Sequence, residues 1–290
     1  MTEIRVFLRR TCYTPDDDLA FIGVPPVDTS ALPRHARVSV SVAFPWDMDR
    51  ARSLAAAWAS LYRDVQVGGP GTLCPADEFV PGRFLRHGIT ISSRGCSRAC
   101  PWCFHHKTDG NTREIPITQG RILEDANLLL CSERHVRSVI AMLSEQDSPE
   151  VGALDTRVVE PWHIEALHAA GVRRIRFAAD YPGSHIHLRR VVPMVADFPG
   201  DREVFVLAGY HDRSERGLAE VMERIHLVED LGFSPICLLY QGLHFHKYGP
   251  VWADLQEKYR PVEVPEKCHG CRGCLMGERL VAANGAALET

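Results

Sequence analysis

Hydrophobic and polar residues alternate in two stretches near the start of the chain, which predicts β-strands because successive strand residues point to opposite faces. The alternating hydrophobic positions are Ile4, Val6 and Leu8, and then Val38, Val40 and Val42. A helix is predicted after them, because three hydrophobic residues recur at helical spacing behind a capping aspartate. These residues are Leu54, Trp58 and Leu61, and the aspartate is Asp47 or Asp49. Residues 1–86 are therefore predicted to form a small α/β unit.

From residue 87 to residue 245, hydrophobic runs of strand length alternate with amphipathic stretches of helix length. The predicted strands lie near 88–94, 127–130, 152–158, 174–179, 204–208 and 235–240. Helices are predicted between them, with Ser132 as a cap, Pro161 as a first residue, and Gly171 and Gly232 as stops. The helix near 186–198 contains Pro193 and is predicted to be short or kinked.

Six strand–helix units of this kind occupy about 155 residues, fewer than the ~250 residues of a closed eight-unit barrel. The sequence therefore predicts an α/β fold with a partial (β/α)6 TIM-type barrel over residues 87–245. Parallel crossovers are right-handed, so the carboxyl ends of the strands meet at one mouth. The remaining residues, 246–290, are predicted to be a cysteine-rich C-terminal tail.

The composition indicates a globular protein, with 45% hydrophobic and 24% charged residues in 290. The formal net charge of −4 gives no global basic field for a nucleic-acid partner. The opening residues MTEIRVFLRR alternate apolar and charged, so we predict no signal peptide, no membrane span and a cytoplasmic location. Ten cysteines in such a chain indicate metal or redox chemistry and not a disulfide framework.

Three of these cysteines, Cys96, Cys100 and Cys103, follow the predicted strand that contains Ile89 and Ile91. Zinc sites usually take four ligands from two separated pairs, whereas an iron–sulfur cube takes a thiolate on each iron. Three thiolates on one loop suit a cube that leaves one iron open for chemistry. The alternatives are a zinc knuckle or three thiols without a shared function.

The pattern Cys96-x3-Cys100-x-Trp102-Cys103, at the end of a strand near the start of a barrel, resembles the radical S-adenosylmethionine (radical SAM) superfamily. The resemblance implies a [4Fe–4S] cluster whose open iron binds the amino and carboxylate groups of S-adenosylmethionine. It also implies reductive cleavage to methionine and a 5′-deoxyadenosyl radical, which removes hydrogen from an unidentified substrate. A small molecule or peptide is the expected substrate, and a flavodoxin or ferredoxin is the expected electron donor.

Residues near the predicted mouth are assigned to S-adenosylmethionine by the same resemblance. Asp125 and Asn127 resemble a D-x-N element and are expected to receive the ammonium group, for which carboxylate and amide oxygens are acceptors. Arg157 is expected to contact the carboxylate or ribose. Trp102 and Phe104 are expected to meet the adenine. The structural alternatives are a capped turn, a salt bridge at the rim and packing beneath the loop, respectively.

The strand–helix–strand pattern before Gly68-Gly69-Pro70 is similar to the last part of the cobalamin-binding domain in one radical SAM group. The segment is short for a complete domain and lacks the D-x-H-x-x-G loop that carries the cobalt-ligating histidine. We therefore expect residues 1–86 to be a degenerate Rossmann-like unit without cobalamin.

The tail contains Cys268, Cys271 and Cys274 in a C-x2-C-x2-C run typical of ferredoxins. This run predicts a second, auxiliary [4Fe–4S] cluster with an unassigned fourth ligand, and the alternative is a zinc site completed by His269 or another thiolate. An auxiliary cluster leaves open a sulfur-inserting or methylthiotransferase-like reaction. An alternative of another class is a metal-binding module without catalysis.

Overall fold

The computed structural model describes residues 2–75, 78–243 and 246–260. The N-terminal part contains the strands β1 (Glu3–Phe7), β2 (Ala20–Ile22), β3 (Arg37–Ser41) and β4 (Val65–Gly68). They form one parallel sheet in the order β2-β1-β3-β4, and helix α1 (Met48–Ala59) connects β3 to β4. Trp58 is fully buried against this sheet, and its indole N–H donates to the carbonyl of Gly23 at 2.9 Å.

The predicted strands and helix of this unit are confirmed, with three differences. The short strand β2 was not predicted, since Ala20–Ile22 is too brief for an alternating pattern. Leu61 lies beyond the end of α1 and is 45% exposed, so it is not part of the buried face. Asp47 is the residue before the helix, but its carboxylate pairs with Arg9 and makes no cap hydrogen bond.

The rest of the described chain alternates short strands with helices. The strands are β5 (Ile89–Thr90), β6 (Ser93–Arg94), β7 (Arg113–Glu114), β8 (Ile122–Leu123), β9 (Glu150–Val151), β10 (Arg174–Ala178), β11 (Asp201–Ala208) and β12 (Ser234–Leu239). The helices are α2 (His105–Asp109), α3 (Glu133–Ser144), α4 (Pro161–Ala169), α5 (His185–Val191), α6 (Glu215–Asp230) and α7 (Pro250–Lys258). Short 3-10 turns include Leu128–Leu130 and Val192–Met194.

Two parallel sheets carry this part of the fold, in the orders β5-β8-β9 and β10-β11-β12. A parallel bridge between Ala153 and Arg176 links the end of the first sheet to the start of the second. The strands therefore follow one another in chain order, and one hydrophobic cluster joins side chains of β8 to β12 to those of helices α3 to α7. The fold is mixed α/β with parallel sheets, and the strands within the described ranges do not form a closed barrel.

Two of the predicted strands are displaced in the structure, and the first, predicted near 88–94, is divided into the short strands β5 and β6. The second strand is Ile122–Leu123, and the hydrophobic run 127–130 instead forms a 3-10 turn that buries Leu128 and Leu129. The third strand is Glu150–Val151, and Asp155 turns the chain where 152–158 was predicted to be extended. Short hydrophobic runs do not distinguish strands from buried turns, which explains these errors.

The longer elements agree with the sequence. Ser132 caps α3 by accepting the backbone N–H of His135 at 3.3 Å, and α4 begins at Pro161. Helix α5 is short and passes into the turn that contains Pro193, as predicted. Within the described ranges, no helix is both long and apolar enough to cross a membrane. The predicted auxiliary site at Cys268, Cys271 and Cys274 lies outside the described residues.

Candidate functional site

The three clustered cysteines lie on residues 95–112, which we call the cysteine loop. Strands β6 and β7 pair antiparallel at its base, and the backbone N–H of Cys96 donates to the Gly110 carbonyl at 3.0 Å. Gly95 has a φ of 72°, and a Cβ added there would lie 2.3 Å from the carbonyl oxygen of Asn111. Only glycine fits such an approach, so Gly95 allows the loop to close on itself.

Backbone turns bring the cysteines of this loop near one another along the chain. The N–H of Ala99 donates to the Cys96 carbonyl at 3.4 Å, and the N–H of Cys103 donates to the Cys100 carbonyl at 3.0 Å. Within the part of the chain that the structure describes, no group of three His, Cys, Asp or Glu residues is placed to hold a single metal ion. An iron–sulfur cube binds each thiolate through a different iron, so its cysteines need not converge on one ion. Cluster binding by this loop therefore stays a prediction.

Two of the thiols contact nitrogen donors from the carboxyl ends of neighbouring strands. Asn127, after β8, places Nδ2 3.9 Å from Cys96 Sγ. Arg157, after β9, places Nη1 3.9 Å from Cys100 Sγ. Both N–H groups are suitable donors to a sulfur ligand, whether it is a thiol or a thiolate on iron. The structure thus brings Asn127 and Arg157, both predicted site residues, to the cysteine loop.

Asp155 joins these donors and was missed by the sequence analysis. Its side chain is 4% exposed and accepts from Arg157 Nε at 2.7 Å and Arg157 Nη2 at 2.9 Å. It also accepts from Asn127 Nδ2 at 3.0 Å and from Arg98 Nε, in the cysteine loop, at 3.0 Å. Sequence analysis placed Asp155 inside an extended strand, where nothing distinguished it from a surface acid.

The electrostatics of this cluster favour a charged pair. Burial alone would raise the pKa of Asp155, but the hydrogen bonds from Arg157 and Asn127 outweigh it and lower the pKa to about 2. Burial would lower the pKa of Arg157, and the carboxylate of Asp155 reverses this and raises it. Asp155 and Arg157 are therefore both charged across the ordinary pH range.

One side-chain oxygen in the cluster lacks a partner. Asn127 is 7% exposed, and its Oδ1 is buried without a hydrogen bond to any described atom. Its amide nitrogen faces the Asp155 carboxylate, which fixes the orientation of the amide because a carboxylate accepts and does not donate. An unpaired buried oxygen costs free energy, and a ligand with an N–H group would satisfy it.

Asp125 has a different environment from the one predicted. Its two carboxylate oxygens accept from the backbone N–H and the hydroxyl groups of Ser92 and Ser93, at distances of 2.6 to 3.0 Å. These four bonds fill the acceptor sites of a carboxylate and hold the segment between β5 and β6 in place. An additional role in receiving an ammonium group stays a prediction.

Trp102 and Phe104 point to different surroundings. The Trp102 indole N–H donates to Asp180 Oδ2 at 3.1 Å, and its ring lies 5.9 Å from that of Tyr181 and 5.6 Å from that of Tyr210. The ring of Phe104 instead lies 5.5 Å from Lys107 Nζ. Trp102 is thus placed among groups that follow β10 and β11.

Asp180 is a second, partly buried acid in this arrangement. Burial raises the pKa of Asp180 to about 6, although the Trp102 hydrogen bond and the charges of Arg224 and Arg157 oppose the rise. Buried Arg224 donates to the carbonyls of Ala179 at 2.6 Å and Leu207 at 2.8 Å, so it ties the ends of β10 and β11 together. No signal in the sequence distinguished Arg224 from Arg216, the other arginine on helix α6.

The assembled site combines three thiols, two charged arginine–aspartate contacts and an aromatic wall. No family model matches the chain, and no curated protein matches it. The thiols of Cys96 and Cys100 thus lie beside amide and guanidinium donors, and the surrounding side chains offer both acceptors and cations to a polar ligand.

Proposed function

We propose that the protein is a radical SAM enzyme that cleaves S-adenosylmethionine at a [4Fe–4S] cluster held by Cys96, Cys100 and Cys103. The observation that supports it most is the placement of this cysteine spacing after β5, with Asn127 and Arg157 directed at two of the thiols. Hydrogen bonds to the sulfurs help to set the reduction potential of a cluster, and these two donors are placed where they could supply them.

The order of the strands supports a partial (β/α)6 barrel as the scaffold of this enzyme. Six parallel strands, β5, β8, β9, β10, β11 and β12, follow one another in chain order across the bridge at Ala153, and a helix follows each of them. Their carboxyl ends carry the cysteine loop, Asn127, Arg157 and Asp180. In barrels of parallel strands this end is where active sites lie.

The residues of the chain have distinct roles in this proposal. A reduced cluster on Cys96, Cys100 and Cys103 would supply one electron to the sulfonium of S-adenosylmethionine, so that its S–C5′ bond would break to give methionine and a 5′-deoxyadenosyl radical able to take hydrogen from the substrate. The unpaired Oδ1 of Asn127 is an acceptor for the ammonium of S-adenosylmethionine. Asp125 holds the segment before the cysteine loop, and the Trp102 ring borders the space beside the loop. Phe104 retains its proposed role at the adenine.

The cofactors and partners extend the same proposal. The run Cys268, Cys271 and Cys274 is proposed to hold a second [4Fe–4S] cluster. A flavodoxin or ferredoxin is the proposed electron donor. The proposed location is the reducing cytoplasm, because exposed iron–sulfur clusters are sensitive to oxidation. The substrate is proposed to be a small molecule or peptide, since the formal net charge of −4 does not favour nucleic acid.

The experiment is a cleavage assay on the anoxically reconstituted full chain, with dithionite as the reductant. Wild-type protein is expected to convert S-adenosylmethionine to 5′-deoxyadenosine and methionine, and Cys96→Ala, Cys100→Ala and Cys103→Ala are each expected to abolish the product. The control is Cys74→Ala, because Cys74 is exposed and lies outside the cysteine loop. Unchanged cleavage in all three loop variants would refute the proposal.

A further inference from the structure

Asp155 is the common acceptor of the side chains that reach the cysteine loop. It receives both Nε and Nη2 of Arg157, the amide of Asn127 and the Nε of Arg98. A bidentate pair with a carboxylate fixes the plane of a guanidinium, so Asp155 determines where the remaining nitrogen of Arg157 points. That nitrogen, Nη1, lies 3.9 Å from Cys100 Sγ.

The same carboxylate orients the second donor. Asn127 Nδ2 lies 3.0 Å from Asp155 Oδ2 and 3.9 Å from Cys96 Sγ, so the NH2 group of this amide donates to both the acid and the sulfur. Arg98, between Cys96 and Cys100 in the chain, ties the loop itself to Asp155. A single buried carboxylate thus sets the position of two donors and of the loop that they contact.

We propose that Asp155 is a positioning residue that sets the reduction potential of the metal centre by holding Arg157 on Cys100 and Asn127 on Cys96. This inference depends on the proposed function, because it requires a cluster on these cysteines. It gives Arg157 a sulfur ligand as its partner in place of the S-adenosylmethionine carboxylate, because the bidentate edge of its guanidinium is already bound to Asp155.

The direction of the effect follows from charge. Reduction adds an electron to the cluster, so N–H groups directed at its sulfurs and a nearby positive charge stabilise the reduced state and raise the potential. Arg157→Met removes an N–H donor to Cys100 and a positive charge, and it leaves the negative charge of Asp155 with less positive charge beside it. All three changes lower the potential. Asp155→Asn is different, since loss of the negative charge raises the potential, while loss of the fixed guanidinium lowers it.

The test is a double-mutant cycle on the reconstituted full chain, with Arg157→Met, Asp155→Asn and both together. The reduction potential is measured by redox titration followed by electron paramagnetic resonance. Arg157→Met is expected to lower the potential. Asp155→Asn is expected to raise it more in the Arg157→Met background than in the wild-type background, because only the wild type has a guanidinium to release. Equal shifts in the two backgrounds would overturn the positioning role.

Further variants keep the test decisive if the double variant does not hold a cluster. Arg157→Lys retains the charge but cannot keep a bidentate contact, and it is expected to lower the potential below the wild-type value. A wild-type potential in this variant would overturn the inference. Arg176→Met is the matched control, because it breaks a similarly buried pair with Glu203, and its potential is expected to be unchanged.

The outcomes separate this inference from the proposed function. A wild-type chain that binds no iron–sulfur cluster overturns both. A chain that binds a cluster and cleaves S-adenosylmethionine, but shows equal shifts in the cycle, overturns only the role of Asp155.

Discussion

Replacing Gly95 with alanine tests how tightly the cysteine loop is closed. The added Cβ would lie 2.3 Å from Asn111 O and 2.7 Å from Gly110 O, so this backbone must move by roughly 1 Å to restore contact distances. The left-handed backbone costs about 1 kcal/mol for alanine, overpacking about 1 kcal/mol or more, and the lost Cys96 to Gly110 hydrogen bond about 1 kcal/mol. We therefore expect about 3 kcal/mol of local destabilisation.

The assay is amide hydrogen exchange of the metal-free chain. About 3 kcal/mol corresponds to a roughly 100-fold faster exchange of the Cys96 amide if it exchanges by local opening. The control is Gly232→Ala, because Gly232 has a φ of 78° but open space around its Cβ position. Its cost should be limited to the backbone, about 1 kcal/mol. Equal exchange of the Cys96 amide in both variants would refute the close approach at Gly95.

The other predictions concern the hydrogen bonds of Asp125, the acid Asp180 and the N-terminal core. Asp125→Asn leaves serine donors facing an amide nitrogen and should cost about 2 kcal/mol in urea unfolding, whereas exposed Asp49→Asn should cost nothing measurable. Because the folded pKa of Asp180 is raised to about 6, stability should fall as pH rises from about 4 to 6. Trp102 fluorescence should follow this titration, and Asp180→Asn should abolish the pH dependence of both stability and fluorescence. A midpoint that persists in this variant would show that a group other than Asp180 titrates. Trp58→Ala should cost about 3–5 kcal/mol in urea unfolding, since its side chain is fully buried, and a loss below 1 kcal/mol would contradict its core position.

The sequence predicted elements well where a pattern spans several residues. Helices α3, α4 and α6 have apolar stripes and clear ends, such as Ser132, Pro161 and Gly232, and the structure places them as expected. Strands of two residues, such as β8 and β9, carry no period, so their positions were assigned to neighbouring hydrophobic residues. Tertiary pairing, and not local preference, defines these strands.

The candidate site was partly accessible from the sequence. The spacing of Cys96, Cys100 and Cys103 identified the loop, and strand order brought Asn127 and Arg157 towards it. The contacts of Asp155 were not predictable, because they depend on a turn that replaced a predicted strand. The hydrogen bonds of Asp125 to Ser92 and Ser93 depend on pairing between β5 and β8, which no local pattern encodes.

The most direct test of the central claim is the iron and sulfide content per chain after anoxic reconstitution, in wild type and in the Cys96/Cys100/Cys103→Ala triple variant. The proposal predicts about eight irons in wild type and about four in the variant, because the loop and the tail each hold a cube. About four irons falling to none would retain the cluster on the loop and remove the auxiliary one. Equal iron in the two proteins, or none in either, would contradict a cluster on the cysteine loop.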